Sequence, residues 1–240
     1  MLNPALNPEE LAPRFKSSGR IVIRDALLTE QADRMHRCLR TEIPWRLAYR
    51  DTRVTGEHQQ QQLTRQQLQA MGPKAAAALR AQVLHQARDH FQYIYQHFNI
   101  NGGRSTDNPP DLAVYDLLDF MLGEEFLGFA RRLTGTPELD DLYAHATLYT
   151  AGSFLKIHED VTPVQDRRYA YVLGLTRGWR ADMGGLLHFL DGEGNVVETV
   201  VPRYNSLTIF RVPVPHLVSM VAPWVQEPRL AVTGWLLVRR

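Results

Sequence analysis

The stretch "FLKIHEDVTP" carries a histidine and an aspartate, His158 and Asp160, two positions apart. On an extended strand alternate side chains share a face, so these two can point together while Glu159 points away. A facial metal site needs a third ligand. Downstream, "VPVPHLVSMV" places His216 at the mouth of a strand, after a proline-bounded turn. Two imidazoles and one carboxylate on three adjacent coordination positions leave the others open, the arrangement associated with non-haem Fe(II) oxygenases. The protein's task in such a site is to hold a redox metal and keep positions vacant. Cys38 is the single cysteine, so a metal here must be held by His, Asp or Glu.

A second group of residues suits an anion. In "PRLAVTGWLLV", Arg229, Ala231, Thr233 and Trp235 fall on one face of an expected strand. A guanidinium on an inner face needs a counter-charge, and its planar fork fits a carboxylate in bidentate fashion. Thr233 is placed to donate to the same anion, and Tyr149, upstream of His158, to reach it with its phenol. Arg203 and Arg211 are competing cations, but Arg211 sits too close to His216 along its strand to meet the far end of a chelated acid. His188 in "GGLLHF" reads as a satisfied strand histidine, and His145 as structural or part of the pocket wall. Gly184-Gly185 lacks the strand–turn–helix context of a phosphate loop and is expected to let a strand pack closely.

These residues need a scaffold, and the chain changes texture near residue 142. Beyond it, "YAHATLYT", "FLKIHED", "YAYVLGLT", "GLLHFL", "VVETVVP", "SLTIFRV", "HLVSMVA" and "LAVTGWLLV" are short β-rich runs bounded by Gly, Pro, Asn and Asp. Such a series argues for a sandwich or barrel of antiparallel strands. Residues 1–141 read mainly as helix, with one strand in "GRIVIRDAL" (19–27). Helices are expected over 29–43 with Thr29 as cap, over 72–98 as one long element, and as two short helices over 111–135 divided near Gly123. The glutamine-rich stretch 57–69 reads as a solvated loop or helix face. The fold class is α+β with a mainly β core: a helix-rich part, 1–141, packed on a β core, 142–240, in one structural unit.

A formal net charge of +1 points to neither nucleic acid nor an anionic membrane as partner. No apolar run reaches about 18 residues and no signal pattern opens the chain. A soluble, cytoplasmic protein is expected. Oligomeric state is not legible.

The order Tyr149, "GSFLKIHED", "GGLLHF", "NSLTIFRVPVPH" and "PRLAVTGWLL" resembles the 2-oxoglutarate- and Fe(II)-dependent dioxygenases, in their prolyl 4-hydroxylase-like branch. Tyr149, Gly152, Leu155, His158 and Asp160 match the branch motif Tyr-x-x-Gly-x-x-Leu-x-x-His-x-Asp. The resemblance covers roughly residues 142 to 240. It implies a double-stranded β-helix, or jelly roll, buttressed by the N-terminal helices. It implies Fe(II) on His158, Asp160 and His216, and 2-oxoglutarate as co-substrate held at its distal carboxylate by Arg229 and Tyr149. It implies O2 as oxidant, with ascorbate as a reductant. The interval from His216 to Arg229 is longer than usual in the family, the excess falling in "APWVQEP".

The implied reaction hydroxylates an amino-acid side chain, with a prolyl residue of a peptide or protein as leading candidate, and releases succinate and CO2. The alternatives are a same-fold dioxygenase acting on a small metabolite, a non-catalytic jelly-roll binding module, and a Zn²⁺ hydrolase. The last leaves Arg229 and Tyr149 without a task.

Overall fold

The computed structural model describes residues 1–104 and 108–239, without the side chains of Glu57 and His58. In chain order the elements are α1 (Pro8–Ser18), β1 (Arg20–Arg24), α2 (Thr29–Thr41), β2 (Arg46–Arg50), β3 (Gln60–Thr64), α3 (Arg65–Gln86), β4 (Tyr93–Asn99), α4 (Ala113–Leu122) and α5 (Glu124–Thr134). The β-rich half follows with β5 (Asp141–Tyr149), β6 (Phe154–His158), β7 (Asp166–Leu175), β8 (Leu187–Leu190), β9 (Val196–Val200), β10 (Tyr204–Arg211), β11 (His216–Val218) and β12 (Arg229–Val238).

All strand pairs are antiparallel and form one continuous path, β1-β10-β7-β12-β5-β4-β6-β11-β8-β9, with β2 added to β4 and β3 to β2. The path curls over on itself. Phe189 of β8 packs edge-on against Phe210 of β10, at 4.9 Å between ring centroids, although the two strands lie far apart along the path. This is the double-stranded β-helix expected from the resemblance. Its inner faces enclose a cavity; its outer face is covered by helices.

That cover is hydrophobic. Phe15 of α1, Met35 and Leu39 of α2, Tyr115 of α4 and Phe129 of α5 share one buried cluster with Ile209, Val232 and Leu236 of the sheet. Local chemistry fixes the helix ends. Asn7 accepts from the Glu9 backbone N–H ahead of Pro8, and Gly19 closes α1 in the left-handed region at φ 70°. The helices at 113–122 and 124–134 meet at Gly123, as expected. Helix α2 spans Thr29–Thr41, but its cap is Leu28, which makes no side-chain cap bond, and not Thr29.

Three expectations for the first half are corrected. The helix expected over 72–98 starts earlier and stops earlier, at Arg65–Gln86, with Gly72 breaking it at φ 76°. Residues 93–99 form β4, because pairing with β2, β5 and β6 holds them extended, with Ile94 and Phe98 buried. The glutamine-rich stretch is neither loop nor helix face over residues 60–64 but strand β3, and Thr64 and Gln67 complete a reciprocal capping box that starts α3. The helical half thus supplies four strands, and β4 becomes one wall of the cavity.

Candidate metal centre and anion-binding cavity

His158 ends β6 and His216 begins β11, and the two are direct antiparallel partners. Their rings lie 4.1 Å apart. Asp160, two residues past His158, sits at φ 62°, a left-handed turn that aspartate tolerates better than most side chains. That turn swings its carboxylate between the rings, with Oδ1 3.4 Å from His158 Nε2 and Oδ2 3.4 Å from His216 Nε2.

The tautomers follow from the backbone. His158 Nδ1 lies 3.0 Å from the Lys156 carbonyl and His216 Nδ1 lies 2.8 Å from the Val214 carbonyl. A carbonyl only accepts, so each Nδ1 carries the proton, and in a neutral ring Nε2 presents a lone pair. One ligand atom from each of the three residues lies within 4.8 Å of the other two. Burial works against the charged Asp160 carboxyl, and donation from Nε2 of the flanking rings, or a cation in its place, is what offsets that cost and holds the carboxyl well below the usual carboxylate range. Converging lone pairs and a buried anion fit a divalent cation. Nitrogen and oxygen donors without thiolate suit iron.

Arg229 opens β12 directly opposite Tyr149 of β5. It is 5% exposed, its guanidinium lies 4.9 Å from the Tyr149 ring centroid, and Tyr149 stacks on Tyr95 at 4.9 Å and 7°. Among the described residues no carboxylate pairs with it, and its Nε is buried with no hydrogen-bond partner. Burial lowers the Arg229 pKa and raises that of the Tyr149 phenol, so the pair is a cation beside a neutral hydroxyl. A buried cation without a counter-charge is costly, and a ligand carboxylate is the group that relieves it.

The glycine pair makes room for this arginine. A Cβ on Gly185 (φ 62°) would sit 3.2 Å from Arg229 Cδ, and one on Gly184 (φ 68°) would sit 2.0 Å from the Met220 carbonyl oxygen. Trp179 is buried and donates from Nε1 to the Gly184 carbonyl at 2.8 Å. Gly184→Ala is therefore expected to destabilise the fold by about 3 kcal/mol or more, from a backbone conformation reserved for glycine plus a backbone collision. A chemical denaturation midpoint unchanged from wild type would contradict this.

Thr233 lines the same cavity but does not donate to an anion as expected. Its hydroxyl gives its one proton to the Tyr171 carbonyl at 2.8 Å, so the donor is already used within the sheet. His188 lies outside the cavity lining, with Nδ1 2.9 Å from the Thr199 hydroxyl on β9. Arg211, with its guanidinium 5.8 Å from the Phe15 ring centroid, and Arg203 are both exposed, and neither lines the cavity. The cavity itself has a volume of about 970 Å³ and brings together His158, Asp160, His216, Tyr149, Arg229 and Thr233. Sequence reasoning missed the contributions of Tyr95 and His97 on β4 and of Arg167 on β7. Their signal was strand parity, hidden for β4 by the helix expected there.

Comparison with known proteins agrees with this geometry. A family model described as the 2OG-Fe(II) oxygenase superfamily matches residues 144–237. Among characterised proteins the similarity is to prolyl hydroxylases. The chain is 28% identical over 122 residues to a mouse (Mus musculus) prolyl 3-hydroxylase, OGFOD1, covering 48% of this chain and 22% of that protein. It is 32% identical over 125 residues to the Xenopus laevis protein of the same name, covering 49% and 24%. The matched part is thus about a quarter of the length of these curated relatives.

Among solved structures, a Pseudomonas putida prolyl-4-hydroxylase superposes with a TM-score of 0.59 at 19% identity, covering 98% of this chain and all 100% of that one. A Trichoplax adhaerens prolyl hydroxylase, solved with a hypoxia inducible factor peptide fragment, gives 0.61 at 14% identity, covering 96% and 90%. At these identities the structures show a common fold.

Proposed function

We propose that this chain is a 2OG-Fe(II) dioxygenase that hydroxylates an amino-acid side chain, with a prolyl residue of a peptide or protein as its substrate, and releases succinate and CO2. The observation that carries the reading is the pairing of two features in one cavity: three convergent lone-pair ligands, and a buried arginine with no carboxylate partner among the described residues. The similarity to prolyl hydroxylases supports the choice of substrate.

In this proposal His158, Asp160 and His216 hold Fe(II). When bound, iron with 2-oxoglutarate and O2 supplies the oxidising chemistry that no amino-acid side chain can provide. The backbone carbonyls of Lys156 and Val214 keep both Nε2 lone pairs aimed at the metal position. Arg229 fixes the distal carboxylate of 2-oxoglutarate, with the Tyr149 phenol closing over the same end. The stacked Tyr95 and Tyr149 rings present apolar surface beside that ion pair and limit water there.

Ascorbate as reductant and a cytoplasmic location belong to the same proposal. The single thiol, Cys38, is buried, and burial pushes it up to about 11, so it is unreactive. No helix among the described residues is long and apolar enough to cross a membrane.

The test is succinate release by the full chain with Fe(II) and 2-oxoglutarate against a panel of proline-containing peptides and free amino acids. Release stimulated by a proline peptide, with a mass gain of one oxygen on that peptide, is the expected result. Absence of succinate across the panel, with and without ascorbate, overturns the reading.

A further inference from the structure

The cavity has two ends. Inward-facing positions alternate along β5 and β12, where Arg229 faces Tyr149, Thr233 faces His145 and Trp235 faces Tyr143. Tyr149 and Arg229, with Tyr95, form the anion-binding end. His145 lies four positions back along β5 from Tyr149, about 13 Å at the rise of a strand. There it meets His97 of β4 with ring centroids 4.9 Å apart, and Trp235 at 5.6 Å.

Five buried side-chain nitrogen or oxygen atoms among the described residues have no hydrogen-bond partner, and four of them belong to residues that line this cavity. One is Arg229 Nε; the other three are His97 Nδ1, His145 Nδ1 and Trp235 Nε1, all at the second end. Unmet polarity is thus concentrated in the cavity and largely absent from the core. Buried polar groups are nearly always paired, so a cluster of exceptions needs a partner that arrives from outside.

The chemistry of that partner follows from the charge state of the rings. Burial lowers the His145 pKa well below the usual range and takes His97 down to about 4, with Arg167 and Arg46 opposing protonation of the respective rings; His97 also disfavours a charge on His145, and only Asp160 favours one. Both rings are neutral, and a neutral imidazole offers one donor and one acceptor. Two such rings beside an indole N–H suit a group that both donates and accepts without carrying charge. An ammonium would face Arg46 and Arg167, which also line this cavity.

We infer that His97 and His145 form a second subsite, opposite Arg229, that takes an uncharged amide of the primary substrate, either a peptide bond or a carboxamide. This rests on the proposed dioxygenase function for the identity of the occupant as substrate. It adds that the substrate presents a neutral amide within reach of the reacting side chain.

The experiment compares binding of N-acetylprolinamide and the methyl ester of N-acetylproline to the full chain by calorimetric titration. The ester keeps the shape and neutrality but loses the terminal N–H donors. The wild type is expected to bind the amide about tenfold more tightly, the worth of one hydrogen bond that would otherwise be left unmade in a buried site. His145→Leu and His97→Leu are each expected to erase that margin. Both are also expected to melt above the wild type without ligand, because they remove a buried polar atom that has no partner.

Equal binding of amide and ester by the wild type, or a margin kept in both variants, overturns the inference. So does a fall in melting temperature with the margin intact, which marks the rings as structural. A wild type that prefers the amide but never releases succinate sinks the dioxygenase reading and leaves the subsite standing.

Discussion

Replacing Arg229 by methionine is expected to raise the 2-oxoglutarate requirement for succinate release by about 30- to 1000-fold. The magnitude is that of a charge-assisted, two-point contact with a carboxylate, about 2–4 kcal/mol in a site shielded from water. Arg229→Lys should recover only part of the loss, since an ammonium cannot match both carboxylate oxygens at once. The same methionine variant is expected to melt higher than the wild type in the absence of 2-oxoglutarate. The reason is that Arg229 is buried without a counter-ion, so the ligand-free protein bears a desolvation cost that an apolar side chain of similar length removes. Titration of 2-oxoglutarate against turnover, together with thermal melts, checks both halves. An unchanged requirement would move the anion site elsewhere; a lower melting point would mean that Arg229 serves the fold.

Opposite signs for ligand-free stability and for function characterise a cavity built around absent groups, and they explain what was legible in the sequence. Strand parity brought His158 and Asp160 to notice together, but β6 ends at His158 and a left-handed turn at Asp160, not alternation along a strand, carries the carboxylate in; His216 and Arg229 each open a strand whose alternation is plain in the residues. The structure brings all four to one cavity. Thr233 shows the limit of the method. Parity puts it on the inner face correctly, but parity carries no information about the carbonyl of Tyr171 on the neighbouring strand, which claims its proton.

The wall formed by β4 was not legible for a different reason. Tyr93 to Asn99 continue from an alanine-rich segment with no glycine or proline between them, so local propensity extends the helix. What turns them into a strand is pairing with β5, β2 and β6, partners that lie far away in sequence or, for β2, across α3. Long-range pairing overrides local preference here, and it delivers His97 beside His145 and Tyr95 beside Tyr149. The cavity's second end was therefore invisible until the sheet was assembled, whereas the triad rests on elements whose boundaries were already clear.

The triad allows a test in which fold and metal binding separate cleanly. Asp160→Asn is preferable to Asp160→Ala, because residue 160 sits at φ 62° and asparagine tolerates that conformation where alanine is strained by about 1–2 kcal/mol. The amide is also nearly the same size. In the wild type two Nε2 lone pairs converge on a carboxylate at 3.4 Å, with Nδ1 of each ring committed to a carbonyl. An asparagine turns one oxygen into an N–H donor, which can bond one Nε2 directly and close the centre without a cation. The metal-free variant is accordingly expected to melt at or above the wild type. Its affinity for Fe(II), or for Mn(II) as an air-stable probe, should fall by more than about 100-fold, since the site loses its only anionic ligand and must displace a hydrogen bond. At a metal concentration of about 100 times the wild-type Kd, binding stabilises the wild type by about 2.7 kcal/mol. The variant should show almost none of that shift. Melting curves with and without Mn(II) read this without any assay of turnover. A variant that keeps the metal-induced shift would show that Asp160 is not a ligand and that the centre has another carboxylate.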